Sequence, residues 1–269
     1  MPTQTPNNTT ATAVPSLEEK AYRYLLGQIR RGELRQGDRI SALAVSKTTG
    51  ISRTPLTHAV RRLEAEGFLT NVPNSGSVVR ELTHQELKDT LELRTALEGY
   101  AAEVFASSPK KGYLTRLEKT IVRMNRLINR LQKQQRNISD EDLKEHVLAD
   151  FTFHLIVMRA TGNKILFDQF CRMHTLMRSL QYRPVPNRDD LIVRTQESIH
   201  HHERILSTFI DGNANKARQN ITEHLKPTME QVLLDFEHYT SHKVDHLTMQ
   251  RWPASVAEAL LDIESSFHF

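Results

Sequence analysis

The segment Gly50-Ile51-Ser52-Arg53-Thr54-Pro55-Leu56, running into Ala59-Val60-Arg61-Arg62-Leu63-Glu64-Ala65-Glu66-Gly67-Phe68-Leu69, narrows the possible folds more than any other part of the chain. Glycine opens it as a tight turn, and Ser52 is placed to cap a helix because its hydroxyl accepts an orphaned backbone N–H. Pro55 fits the first turn. Val60 and Leu63 supply an inward stripe, which leaves Arg53, Thr57, His58 and Arg61 to face outward. Gly67 stops the helix. A short helix with Arg and Thr near its N-terminus suits the DNA major groove.

The flanking residues predict a winged helix-turn-helix around it. Ser16 and Glu19 have capping-box spacing and open a helix through Tyr22, Leu25, Leu26 and Ile29. A loop through Gly37-Asp38-Arg39-Ile40 returns as a short strand, and a second helix runs from about Ser41 to Thr49. Leu69 to Val72, the turn Pro73-Asn74-Ser75-Gly76, and Ser77 to Arg80 form a β-hairpin wing.

From Thr83 onward the pattern is helical, again with capping-box spacing at Thr83 and Glu86. Apolar stripes run through Leu87, Leu91, Leu97 and Ala101, then Tyr113, Leu117, Ile121 and Leu127, then Leu143, Val147 and Phe151. They continue through Ile165, Phe170 and Leu176, then Ile199, Ile205 and Phe209, then Ile221, Leu225 and Val232. Breaks fall at Ser107-Ser108-Pro109, Asn137, Gly162, Arg183 to Pro186 and Gly212. The expected fold is therefore mainly α: a winged head over 16–80 and an all-α bundle of six or seven helices over 83–240. Residues 1–15 read as a disordered tail without signal-peptide features. Residues 241–269 read as a C-terminal extension, in which Pro253 starts a short helix through Val256, Leu260 and Ile263.

Charge separates the two parts. The whole chain is +4, yet residues 16–80 carry 11 Lys/Arg against 6 Asp/Glu, which leaves the remainder near neutral. A basic module beside a neutral one fits DNA binding at one end. No apolar run is long enough to span a bilayer, so no membrane partner is expected. The single cysteine, Cys171, excludes an internal disulfide and suits a reducing cytoplasm.

A polar cluster interrupts the bundle's apolar stripes. Asp150 and His154 lie four apart, on the face of Leu143, Val147, Phe151 and Met158. Within His200-His201-His202, His202 shares a face with Ile199, Leu206 and Phe209, while His224 sits beside Ile221 and Leu225. An unpaired carboxylate facing inward is costly, and a divalent ion held by Asp150, His154, His202 and His224 would relieve it. Such a donor set suits zinc first, with nickel or manganese as alternatives. The competing interpretation is four separately satisfied buried polar groups. Arg94 falls on the stripe of Leu87, Leu91 and Ala101, where it either pairs with Glu98 or clamps a ligand carboxylate.

The run from Gly37-Asp38-Arg39-Ile40 through Gly50–Pro55 and Ala59–Gly67 to Pro73–Val79 resembles the DNA-binding domain of the GntR family of bacterial repressors. Glu92–Glu98, Asp150–His154 and Thr161-Gly162-Asn163 resemble the helical FCD-type ligand-binding domain of its FadR-like subfamily. The resemblance places Arg53, Thr54 and Arg61 against bases or phosphates and Gly76 at the wing tip. Arg39, Lys47, Arg61 and Arg62 suit phosphates, and Ser52, Thr57 and His58 complete the candidate DNA-facing set. Thr57-His58 stand where relatives usually carry Arg-Glu, which implies a different preferred operator. The resemblance also implies a homodimer on a palindromic double-stranded operator, a metal at the floor of the helical domain, and a small carboxylate effector. Repression is the expected sign, and no enzymatic activity is expected. A metalloenzyme is the first alternative, but the chain lacks a His-Glu-x-x-His arrangement and the basic head would go unexplained. The second is a DNA-binding protein whose helical domain only dimerises.

Overall fold

The computed structural model describes residues 15–31, 33–134, 136–180, 186–242 and 253–267. Residues 1–14 of the tail expected over 1–15, residues 183–185 of the break expected over 183–186, and the stretch 243–252 lie outside the described residues.

Three helices and a hairpin build the head: α1 (Leu17–Arg30), α2 (Ala42–Thr49), α3 (Arg53–Ala65), β1 (Leu69–Val72) and β2 (Gly76–Val79). The Ser16 hydroxyl caps α1 by accepting from the Glu19 amide at 3.1 Å. Gly50 ends α2 at φ +70°, a left-handed conformation that lets the chain turn sharply into α3. Ser52 occupies the N-cap of α3 but makes no side-chain cap bond there. The third helical residue is Pro55, which lacks the N–H that the serine hydroxyl would accept. The inward stripe also sits slightly differently from expectation. Leu56, Ala59 and Leu63 are buried, while Val60 is half-buried on the shoulder.

The hairpin is antiparallel with Leu69 opposite Val79 and Val72 opposite Gly76, turning at Asn74 with φ +64°. Arg39 bridges to Val78 and supplies the anticipated third short strand. Leu25, Ile29, Leu56, Leu63, Phe68, Leu69 and Val79 close the head's core.

Six helices form the bundle: α4 (His84–Ser107), α5 (Lys111–Lys133), α6 (Asp140–Ala160), α7 (Lys164–Leu180), α8 (Arg188–Ile210) and α9 (Ala214–His242). A seventh, α10 (Ala254–Ser266), follows in the C-terminal extension and lies along α6. Thr83 and Glu86 make a complete capping box on α4. Ser139 and Asp142 make another on α6. α6 packs against α4, α5, α7, α8 and α10, so it is buried nearly all round. Its polar side chains consequently have few routes to solvent.

Ile165 does not belong to the α7 stripe, since it is 76% exposed. The phase set by Phe170 and Met177 instead buries Leu166 and Phe167. Asn163 caps α7 by accepting from the Leu166 amide. Among the described residues no helix is long and apolar enough to cross a membrane.

Candidate metal centre and nucleic-acid interface

Three helices bring the Asp/His quartet together. Asp150 and His154 stand one turn apart on α6, His202 comes from α8 and His224 from α9. One ligand atom from each lies within 4.8 Å of all the others. His154 Nε2 is 3.2 Å from His224 Nε2, and His202 Nε2 is 3.7 Å from Asp150 Oδ1. The His202 ring stacks on Phe153 at 3.8 Å between centroids, which fixes its orientation. His154, His202 and His224 are buried, whereas Asp150 keeps 24% of its side chain exposed and forms the open edge of the set.

Hydrogen bonding alone does not satisfy this cluster. Both ring nitrogens of His202 and Nδ1 of His224 are buried without a hydrogen-bond partner. Leaving such groups unpaired costs about 1–3 kcal/mol each. His154 Nδ1 meets the buried Glu98 carboxylate, which holds the ring with its Nε2 toward His224. Arg94 Nε in turn donates to Glu98 Oε1 at 2.6 Å. A carboxylate behind a ligating imidazole is the usual outer support of a metal site.

The electrostatics agree. Burial pulls the His202 imidazole down to about 3. Burial, reinforced by His202 and His154, holds His224 far below its ordinary value. Burial works to raise Asp150, but His154, His202 and His224 outweigh it and keep the carboxylate well below the usual range. Glu98 is likewise lifted by burial and lowered further by His154 and Arg94, to about 2. His202 and His224 as neutral imidazoles beside an ionised carboxylate are in the protonation state that binds a cation without competing protons. The donor set fits a borderline divalent ion.

Above the quartet lies a pocket of about 270 Å³, lined among others by Arg94, His146, Asp150, Arg194, Thr228 and Gln231. Arg94 pairs with Glu98, the first of the two roles anticipated for its position, and it also lines the pocket. His146 was not singled out from the sequence, although it precedes Asp150 by four residues and so shares its face. Its Nδ1 meets Thr195 Oγ1 at 2.9 Å. Arg194, Thr228 and Gln231 give no local signal, because only the packing of α8 and α9 brings them to one pocket.

The head presents its candidate DNA face as a separate surface. Ser52, Arg53, Thr54, Thr57, His58 and Arg61 are exposed on or just before α3, and Lys47 is exposed on α2. Gly76 turns at φ +78° with Arg39 alongside it. Arg39, Lys47, Arg53 and Arg61 make no ion pair with a carboxylate among the described residues. Arg62 differs: it pairs with Glu19 at 2.9 Å and Glu66 at 3.1 Å, and its guanidinium lies 3.6 Å above the Tyr22 ring. His58 Nδ1 lies 3.5 Å from Glu18 on α1.

Residues 17–79 match the family described as bacterial regulatory proteins, gntR family, and residues 89–227 match the FCD domain. The chain is 26% identical to an uncharacterized HTH-type transcriptional regulator, YdhC, of Bacillus subtilis, over 78% of this chain and 91% of that one. It is also 26% identical to a probable D-xylose utilization operon transcriptional repressor of Paenarthrobacter nicotinovorans, over 53% and 58% of the two chains. The fold is similar to that of McbR/YncC of E. coli, with a TM-score of 0.61 at 18% identity, covering 84% of this chain and 100% of that one.

Proposed function

The chain belongs to the GntR family of bacterial transcriptional regulators, with an FCD domain behind its DNA-binding head, and on that premise we propose that it is a metabolite-responsive repressor. Its family and relatives are regulators rather than enzymes. The observation that carries the finer reading is the set of unpartnered imidazole nitrogens around Asp150 at the floor of a polar pocket.

In this reading the head, over 16–80, reads one half-site of a palindrome, and two copies of the chain form the homodimer that reads both. Arg53, Thr54 and Arg61, with Ser52, Thr57 and His58 around them, face the major groove. Arg39, Lys47 and Arg62 meet phosphates, and Gly76 brings the wing to the minor groove. The helical part, over 83–240, holds zinc, or nickel or manganese, through Asp150, His154, His202 and His224. A divalent ion there supplies positive charge to a carboxylate at the pocket floor. Arg94 lies beside that carboxylate, and the small pocket limits the effector to a compact organic acid. An acid that binds one arrangement of the two heads better than the other shifts the equilibrium between them. The protein works in the cytoplasm, where its operator is.

The test uses a fluorescent duplex carrying the DNA upstream of the chain's own gene. Saturable binding with a strong salt dependence is expected, weakened by a carboxylic acid that also raises the melting temperature of metal-loaded protein. Failure of every upstream duplex to bind would remove the repressor reading. An acid response that survives D150A and H202A would separate effector sensing from the Asp/His quartet, and no acid response in the wild type would leave the helical domain with dimerisation alone.

A further inference from the structure

The helix α10 lies beyond the segment that matches the FCD domain, and the repressor reading assigns it no role. It is nonetheless well seated. Val256, Leu260 and Phe267 are buried, the Phe267 carbonyl accepts from Arg159 Nε at 3.0 Å, and Arg116 lies over the Phe267 ring at 4.6 Å.

The same helix reaches the head. Arg30, at the end of α1, is buried to 7% side-chain exposure in the seam between head and bundle. It donates to Thr175 Oγ1 of α7 at 3.0 Å, and the carboxylate that faces it, 3.7 Å away, is Glu264 of α10. Thr175 also donates to Glu264 Oε2 at 2.9 Å, and His174 Nδ1 stands 3.8 Å from Oε1. The His174 ring stacks at 3.8 Å on Phe151, the residue after Asp150 on α6. At the rim, Arg31 lies 3.9 Å from Glu258 of α10. Gly67, just after α3, approaches the same wall, since a Cβ there would lie 3.9 Å from Leu176 of α7.

We propose that α10 is a brace that seats the DNA-binding head on the bundle through the Glu264–Arg30–Thr175 contact. A buried guanidinium requires a counter-charge, and without Glu264 the seam would leave Arg30 without the carboxylate that faces it. Water entering to solvate Arg30 would loosen α1 from α7. The angle at which α3 is presented to DNA then depends on α10, and α10 rests on the helix that carries Asp150 and His154. Of the head's helices it is α1 that packs on the bundle, against α7 and α10, so this seam helps hold head and bundle in one orientation.

The experiment compares full-length wild-type, L260D and E264Q proteins by hydrogen–deuterium exchange and by binding to duplex DNA. In the wild type, amides of α10 and of the α1–α7 seam are expected to be protected together. L260D unseats α10 and E264Q removes the charge facing Arg30. Both are expected to speed exchange in α1 and the C-terminal half of α7 while the interior of α6 stays protected. If the head then holds the correct angle a tenth of the time, DNA affinity falls about tenfold. The proposal is overturned if α10 exchanges freely in the wild type. It is also overturned if L260D frees α10 yet leaves seam exchange and DNA affinity unchanged. Should L260D unfold the bundle, E264Q decides alone, and wild-type seam exchange in that variant counts against the brace. None of these readouts requires metal or effector, so the brace and the metabolite-responsive reading can fail separately.

Discussion

Single side chains divide into those that face a ligand and those that hold others in place, and the structure makes the division testable. Arg53 is exposed with no carboxylate neighbour among the described residues, so R53A should lose about 1–3 kcal/mol of binding on the preferred duplex and relax discrimination at one base position. K47A should weaken all duplexes alike and reduce the slope of log affinity against log salt by about one. Anisotropy titrations at several salt concentrations separate the two, and equal sequence dependence in both variants would remove the distinction between Arg53 and Lys47. Arg62 is a different case, held against Tyr22, Glu19 and Glu66, so R62A should lower the head's melting temperature as well as its affinity. Glu98 orients His154 from behind. E98Q should reduce metal affinity about 10–100-fold in a competition against a chromophoric chelator. Unchanged affinity would mean that Glu98 serves only Arg94.

At the level of elements, caps and turns carry the most specific expectations. Asp142 caps α6 together with Ser139 and meets Arg136 at 2.7 Å and Arg130 at 3.1 Å. Burial would raise its pKa, but Arg136, Ser139 and Arg130 outweigh it and hold the carboxyl well below its ordinary value. A depressed folded-state pKa stabilises the fold above the unfolded value of about 4, and that stabilisation fades as pH falls below it. D142N should therefore cost about 0.5–2 kcal/mol at neutral pH and flatten the acid limb of the stability curve measured by urea unfolding. An unchanged acid limb would show that the cap is not coupled to folding. G50A places a Cβ at φ +70° and should cost about 1–2 kcal/mol in the same assay.

Elements defined by local punctuation are the ones legible from sequence. Ser16, Gly50, Pro55, Gly67 and Asn74 mark turns and caps within a few residues of themselves, and the head follows from them. The quartet was legible too, because inward phase on three separate helices is a local property. What escaped depends on how helices meet. Nothing near Glu98 indicates that His154 will arrive behind it, and nothing near Glu264 indicates Arg30. Ile165 was misplaced by one residue because a short stripe leaves the helix phase open until Phe170 and Met177 pack. The cap expected of Ser52 failed for a reason already present in the sequence, the missing N–H of Pro55.

For the molecule as a whole, the quartet ties three helices of the bundle to one point, so its occupancy should be felt globally. Zinc at about a hundred times its dissociation constant adds about 2.7 kcal/mol, which for a protein of this size is a rise on the order of 5–10 °C in Tm. Differential scanning fluorimetry after dialysis against a chelator, and again after zinc is restored, measures it. A Tm indifferent to both steps would dissociate the quartet from metal binding. The donor chemistry has a practical corollary. Three imidazoles and a carboxylate rank late divalent ions by the Irving–Williams order, in which copper and nickel outrank manganese. A quartet that binds metal would take up the ion of a nickel resin during elution, so its metal preference is measured on apo protein exposed to competing ions at their free cellular levels.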